Sequence, residues 1–326
     1  MFFQLWVNLY LTILSIISTI QLFQRFTLSP NKPQIYFNGT VQLNIPISGV
    51  FYQRILPLPN GDLVRGSGWN IEIWDLQKGI IKRNLTSVYS YPWDFGLLSN
   101  GDLVAGYWKS ETLLVWDLKT YGEPLKRIIQ TNGTFYCMTV LKNDDLAIDQ
   151  WGNGYEIIIR DSQNGLIKNK LVGHTWTVNQ IIELPNGNLV SCSDDKTVKV
   201  WNISNGAVIK SITHETYVRS IAFLPNGYLV SGLWDGIINI WNLETNQLIR
   251  NLMGHSDVIC KNNCLHVLAN GDLLSGSLDG TIKIWNPYDG TLKFTSPLHK
   301  DAVMELAVLP SGNFISSSYT ELIVWN

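Results

Sequence analysis

Charge is scarce in this chain. Of its 326 residues 15% are Asp, Glu, Lys or Arg, and the formal net charge is −2. The cationic surplus that neutralises phosphates is missing, so nucleic acid is not an expected partner. Cysteine is scarce as well. Cys137, Cys192, Cys260 and Cys264 are too few and too scattered for a disulfide framework in a body this large. Cys137, Cys260 and Cys264 read as inner-strand residues, and Cys192 fills a small buried slot that the neighbouring repeat gives to Gly232. The run Cys260-x-x-x-Cys264-x-His266 has no evident fourth ligand, so no metal is expected. No glycine-rich phosphate loop or metal motif appears, and no cofactor is implied. Apolar residues, by contrast, make up 45% of the chain, which fits a packed, strand-rich body and excludes bulk disorder.

What is there is a repeat. A Leu-x-Asn-Gly-x-Leu-like hairpin is followed about fifteen residues later by an apolar run ending at Trp74-Asp75, Trp116-Asp117, Arg160-Asp161, Trp201-Asn202, Trp241-Asn242, Trp285-Asn286 and Trp325-Asn326. The steps are 42, 44, 41, 40, 44 and 40 residues, a period that marks one supersecondary unit stacked on copies of itself. The clearest unit divides into four strands: Thr177–Leu184 (a), Leu189–Ser193 (b), Thr197–Trp201 (c) and Ala207–Ile212 (d). The a–b turn carries Asn60-Gly61, Asn100-Gly101, Asn143-Asp144, Asn186-Gly187, Asn226-Gly227, Asn270-Gly271 or Ser311-Gly312, and Asn-Gly suits a two-residue primed turn. Four-stranded sheets of this kind bury both faces only when stacked radially. Lys and Arg recur on the outermost strand d, where they discourage edge-to-edge pairing. The seventh unit lacks strand d, and Thr40–Pro46 is expected to supply it and close the ring.

Residues 2–23 differ in kind. They carry no charge, and their length spans a hydrocarbon core of about 30 Å. A membrane anchor, a cleaved signal peptide and a disposable leader all fit this run. For an anchor, Arg25 and Lys32 after the run favour a cytosolic body; the secretory pathway and plain cytoplasm are the other locations. The domain reading is a hydrophobic leader at 1–25, a linker at 26–38 and the repeat body at 39–326.

Gly173-His174, Gly254-His255, Ser193-x-Asp195-x-Thr197, Ser277-x-Asp279-x-Thr281 and the Trp-Asp/Asn endings make the chain resemble the WD-repeat β-propeller family, over about nine tenths of its length. The resemblance implies an all-β fold: a single seven-bladed propeller of four-stranded antiparallel blades, monomeric, with a buried hydrogen-bond network in each regular blade. Three blades carry the full set: His174, Ser191, Asp195 and Trp201; His214, Ser231, Asp235 and Trp241; His255, Ser275, Asp279 and Trp285. Such a set recurring beside a core Trp is structural rather than a nucleophilic triad, which would be a single exposed copy. Blades four to six are therefore expected to be the most rigid.

Six Trp lie outside both the motif endings and the leader: Trp69, Trp93, Trp108, Trp151, Trp176 and Trp234. Trp69, Trp108, Trp151 and Trp234 share the b–c turn position with Tyr319, while Trp93 and Trp176 belong to d–a loops. Both loop sets emerge on one face, and Trp and Tyr anchor interfaces. Arg219 and its equivalents Gln53, Trp93, Tyr136, Asn179 and Met304 are expected at the channel mouth. The reading is a non-enzymatic scaffold that binds a protein or peptide on this face. The alternative is a small-ligand-binding or hydrolytic propeller using the central channel, with Asp94, Asp149, Asp257, Asp301 and Glu305 as scattered candidates.

Overall fold

Among the residues that the computed structural model describes, every strand belongs to one of seven separate four-stranded antiparallel sheets. The structure describes residues 40–47, 54–87, 90–122, 124–151, 154–261, 263–297 and 299–326. The leader and linker, with Gln53, lie outside the described residues. Within the first six sheets the strands follow chain order from the axis outward, as in blade four: Val178–Glu183, Leu189–Ser193, Thr197–Trp201 and Val208–Thr213. Innermost strands of successive blades are neighbours all the way round, and Ile55–Pro57 of blade one meets Glu305–Val308 of blade seven. The apolar positions of strands a to c interleave between blades as a core of Leu, Ile and Val with Trp201, Trp285 and Trp325 fully buried.

The last blade is completed as expected. Val41–Pro46 runs antiparallel to Glu321–Trp325, with Val41 opposite Trp325 and Pro46 opposite Glu321. Ile45 and Ile47 are buried there, and Asn44 donates to Glu321 at 3.1 Å. The first strand of the described body and the last are thereby joined in one sheet.

The a–b turns differ from the expectation. In blade one the N–H of Gly61 bonds to the carbonyl of Leu58, and the N–H of Leu58 to the carbonyl of Asp62. Gly61 has φ of 87°, whereas Asn60 is not in the positive region. This is a type I turn followed by a residue in the left-handed region, not a two-residue primed turn. In four blades Pro59, Pro185, Pro225 or Pro310 fixes the φ that position i+1 of a type I turn requires, and the other three make the same turn from Ser99, Lys142 and Ala269. Asp144, with φ of 66°, takes the glycine's place in blade three.

The outer lysines are held rather than free. Lys82, Lys126, Lys168 and Lys293 reach the Asp after the turn in their own blade (Asp62, Asp102, Asp145 and Asp272) at 2.5–2.8 Å. A second set bridges blades: Arg83 donates to the Leu118 and Thr120 carbonyls, Lys210 to Leu243 and Glu244, and Arg250 to Tyr288.

Candidate interaction face and central channel

Each blade's hydrogen-bond chemistry follows from donor and acceptor counts. In blade four the Trp201 indole N–H donates to Ser191 Oγ at 2.7 Å, Ser191 lies 2.7 Å from His174 Nε2, and His174 Nδ1 lies 2.7 Å from Asp195 Oδ2. The indole only donates and the carboxylate only accepts, so every group is satisfied when Nδ1 carries the imidazole proton and Ser191 donates to Nε2. Thr197 and the Thr175 N–H also bond to Asp195. Burial opposes its charge, but His174 and Thr197 outweigh that and hold Asp195 well below the usual carboxylate range. Blade six repeats the arrangement with Trp285, Ser275, His255 and Asp279, at 2.9, 2.8 and 2.9 Å.

Blade five has the same four residue types but a different outcome. His214 Nε2 meets Ser231 Oγ at 2.8 Å, yet Asp235 is exposed and bonds to the backbone of Ile237. Neither His214 Nδ1 nor the Trp241 indole N–H finds a side-chain partner among the described residues. The expectation of a full network here is corrected. Ser-x-Asp-x-Thr has become Leu233-x-Asp235-x-Ile237, so the hydroxyls that hold Asp195 and Asp279 in place are gone. Blade seven errs the other way. It lacks the Asp, but Glu321 occupies the Thr position and its longer side chain brings Oε1 to 3.2 Å from His299 Nδ1, while Ser316 joins His299 and Trp325.

In the antiparallel blades the b–c turns and d–a loops end at the same rim. There Trp108, Trp93, Tyr136 and Trp151 form a chain of edge-to-face rings, with centroids 4.9, 5.8 and 5.8 Å apart. The Trp93 N–H also donates to the Tyr136 carbonyl at 2.7 Å. Trp93, Trp108, Tyr136 and Trp151 line a slot of about 230 Å³. Across the mouth, Trp234 packs on Tyr217 and lies under the Arg219 guanidinium, 4.2 Å from its centroid. A cavity of about 330 Å³ opens at the channel mouth. Its lining includes Trp93, Tyr136, Asn179, Arg219 and Met304, the aligned positions expected there, together with Trp234 and Tyr319. Trp69 and Trp176 are exposed and line neither space.

Below the mouth the channel is crossed by polar side chains from different blades. Arg54 sits 3.3 Å from Asp94 and 3.1 Å from Glu305. Gln180 of blade four donates to Asn263 of blade six, and Asn263 donates to Glu305 of blade seven at 3.4 Å. Burial pushes Glu305 up to about 7, against the pull of Arg54 and the Ile55 N–H. Asp149, which accepts from the N–H groups of Tyr136 and Cys137, is pushed up by burial to about 7 as well. Asp94 and Glu305 are thus engaged in holding blades together, whereas Asp149 pins the backbone of its own blade.

Asn263 reaches the channel because the extra residues of repeat six leave strand a as a loop. Regular pairing begins only at Leu265, after an isolated bridge at Ile259. Cys260 and Cys264 are joined by a disulfide across this loop, Cα atoms 5.6 Å apart, so their reading as free inner-strand thiols is corrected. The fold-back of the inserted residues brings the thiols together, which an extended strand would not allow. Cys137 and Cys192 are free and buried. Among the described residues no group of His, Cys, Asp and Glu is arranged to hold a metal ion.

Comparison with known proteins agrees with this architecture. Residues 165–202, 206–242 and 246–286 match the WD domain, G-beta repeat family. A stretch of 65 residues is 40% identical to the WD repeat-containing protein 89 homolog of Dictyostelium discoideum, covering 20% of this chain and only 18% of that protein's length. The WD40 beta propeller domain of Doa1 superposes with a TM-score of 0.72 at 21% identity, over 88% of this chain and 96% of that one.

Proposed function

We propose that this chain, a seven-bladed propeller carrying WD40 repeats, is a protein- or peptide-binding module that works through the rim where its aromatic rings gather. The observation behind this reading is the ring chain from Trp108 to Trp151 beside an open cavity whose other wall is Trp234 and Tyr319. Aromatic side chains offer large contact area at low entropic cost and dominate binding energy at interfaces. The module is read as non-enzymatic because its buried carboxylates and imidazoles are engaged in inter-strand and inter-blade bonds. Body residues 39–326 are taken as the binding unit. The membrane-anchor reading of residues 2–23 rests on their sequence, and fractionation of the full chain against one starting at Thr27 tests it.

Cross-linking mass spectrometry on the full chain tests the binding face. Partner cross-links are expected at Lys109 and Lys261, and the paired changes Trp108→Ala and Trp234→Ala should abolish capture while leaving the melting temperature within a few degrees. Capture that survives both changes, or cross-links confined to the outer-strand lysines Lys82 and Lys168, places the site elsewhere.

A further inference from the structure

The channel mouth is unevenly charged. On one side Arg54 is matched by two carboxylates, Asp94 and Glu305. On the other, Arg219 and Lys261 share one carboxylate. Arg219 Nη1 bonds to Asp194 Oδ1 at 2.8 Å, and Lys261 Nζ lies 3.7 Å from Asp194 Oδ2. Asp194 is further occupied by the Asn179 amide at 2.6 Å. Arg219 is 7% exposed and lines the cavity, yet among the described residues its Nε has no partner and a single carboxylate oxygen holds the guanidinium. The Lys261 ammonium is pressed below its ordinary value by burial and by the Arg219 charge, against the pull of Asp194 and, less strongly, of Asp149.

We infer that the 330 Å³ cavity at the channel mouth seats an anionic side chain of the bound peptide, carboxylate or phosphoryl, gripped by Arg219 and Lys261. This deepens the binding-module reading and rests on it. An incoming anion supplies the second acceptor that the two cations lack, in a walled site where charge-assisted bonds are strong. Val258, Leu278, Ala302 and Met304 line the cavity and would hold the aliphatic stem. A cationic guest is disfavoured: Arg219 already covers the Trp234 ring, Trp93 is flanked by Trp108 and Tyr136, and the guest would face two like charges. The Cys260–Cys264 bridge fixes the loop that carries Lys261, so the site is organised before binding.

Peptide pools decide it. N-acetylated, C-amidated nonapeptides with random flanks and a central Glu, Gln, phosphoserine, Ser or Lys are titrated against the full chain. The Glu pool should bind about tenfold better than the Gln pool. That ratio should fall to near one in Lys261→Gln, whose side chain reaches solvent and is separable from folding, and in Arg219→Gln. A phosphoserine pool stronger than the Glu pool assigns the anion as phosphoryl, the reverse as carboxylate; both support the inference. Equal Glu and Gln binding, or preference for Lys, in a protein whose binding still depends on Trp108 and Trp234 overturns the anion seat and leaves the binding module standing. Binding that ignores Trp108, Trp234, Arg219 and Lys261 alike overturns both.

Discussion

Blades four and six are alike, and blade five between them is not. All three carry His, Ser, Asp and Trp in the same order, with three extra residues between His255 and Ser275 in blade six, yet only the outer two wire them together. In blade five Asp235 is exposed and His214 Nδ1 has no carboxylate. Blade seven, which lacks the Asp, has Glu321 beside His299 instead. Blades one and three use other means: Glu72 joins Arg65 and the Trp74 indole, and Arg160 reaches the carbonyls of Thr131 and Gly165. The contrast shows that a polar motif in a sheet works only within its frame. The Ser and Thr hydroxyls flanking Asp195 and Asp279 are what hold the carboxylate under the imidazole.

Four measurements would break or sharpen this contrast. Removing residues 40–47 opens the ring and exposes the sites of Ile45 and Ile47, at a cost of at least about 4 kcal/mol. The melting temperature should drop by about 10 °C or more, far beyond the effect of any single network change; an unchanged value would mean the seventh blade does not need its outer strand. Next, Asp279→Ala takes the carboxylate away from the buried His255 Nδ1 and from the half-buried Thr281 and should cost about 3 kcal/mol in denaturant titration. Asp235→Ala should stay within about 0.5 kcal/mol, and equal losses would refute the distinction between the blades.

Acid separates the same blades. Burial pushes His214 down to about 4, partly offset by nearby carbonyls of Ile212 and Lys196. The unfolded chain takes up this proton near pH 6.5, so its contribution is complete above that value and drains away as pH falls toward 4, on the order of 3 kcal/mol. His214→Gln should flatten the stability profile between pH 6.5 and 4; an unaltered slope would show that His214 does not govern it. The smallest effect belongs to the blade-six loop. Replacing Cys260 and Cys264 with Ser removes a short covalent loop worth about 2 kcal/mol, and reductant, which should lower the melting temperature of the wild type, should leave that of the variant unchanged.

Much of the architecture could be read from the chain alone. Period and turn chemistry are local, so seven blades, their strands and the completing strand at 41–46 were legible from spacing. The aligned residues after the first position of strand a were legible for the same reason, and Trp93, Tyr136, Asn179, Arg219 and Met304 do meet at the mouth. Lys261 was not, because it stands in an insertion with no equivalent in other repeats. Nor was the Arg54–Asp94–Glu305 cluster, whose members are up to 251 residues apart. The primed-turn expectation failed because the turn begins one residue earlier than supposed, so that the Gly but not the Asn takes positive φ.

By itself the sequence determined a repeat length, a strand pattern and a count of seven units, since each depends on contacts within about forty residues. The tertiary structure alone decided which polar residues meet across the channel, which Asp turns inward and which cations share a carboxylate. Those pairings depend on side chains from different blades converging near one axis, and distance along the chain carries no record of that convergence.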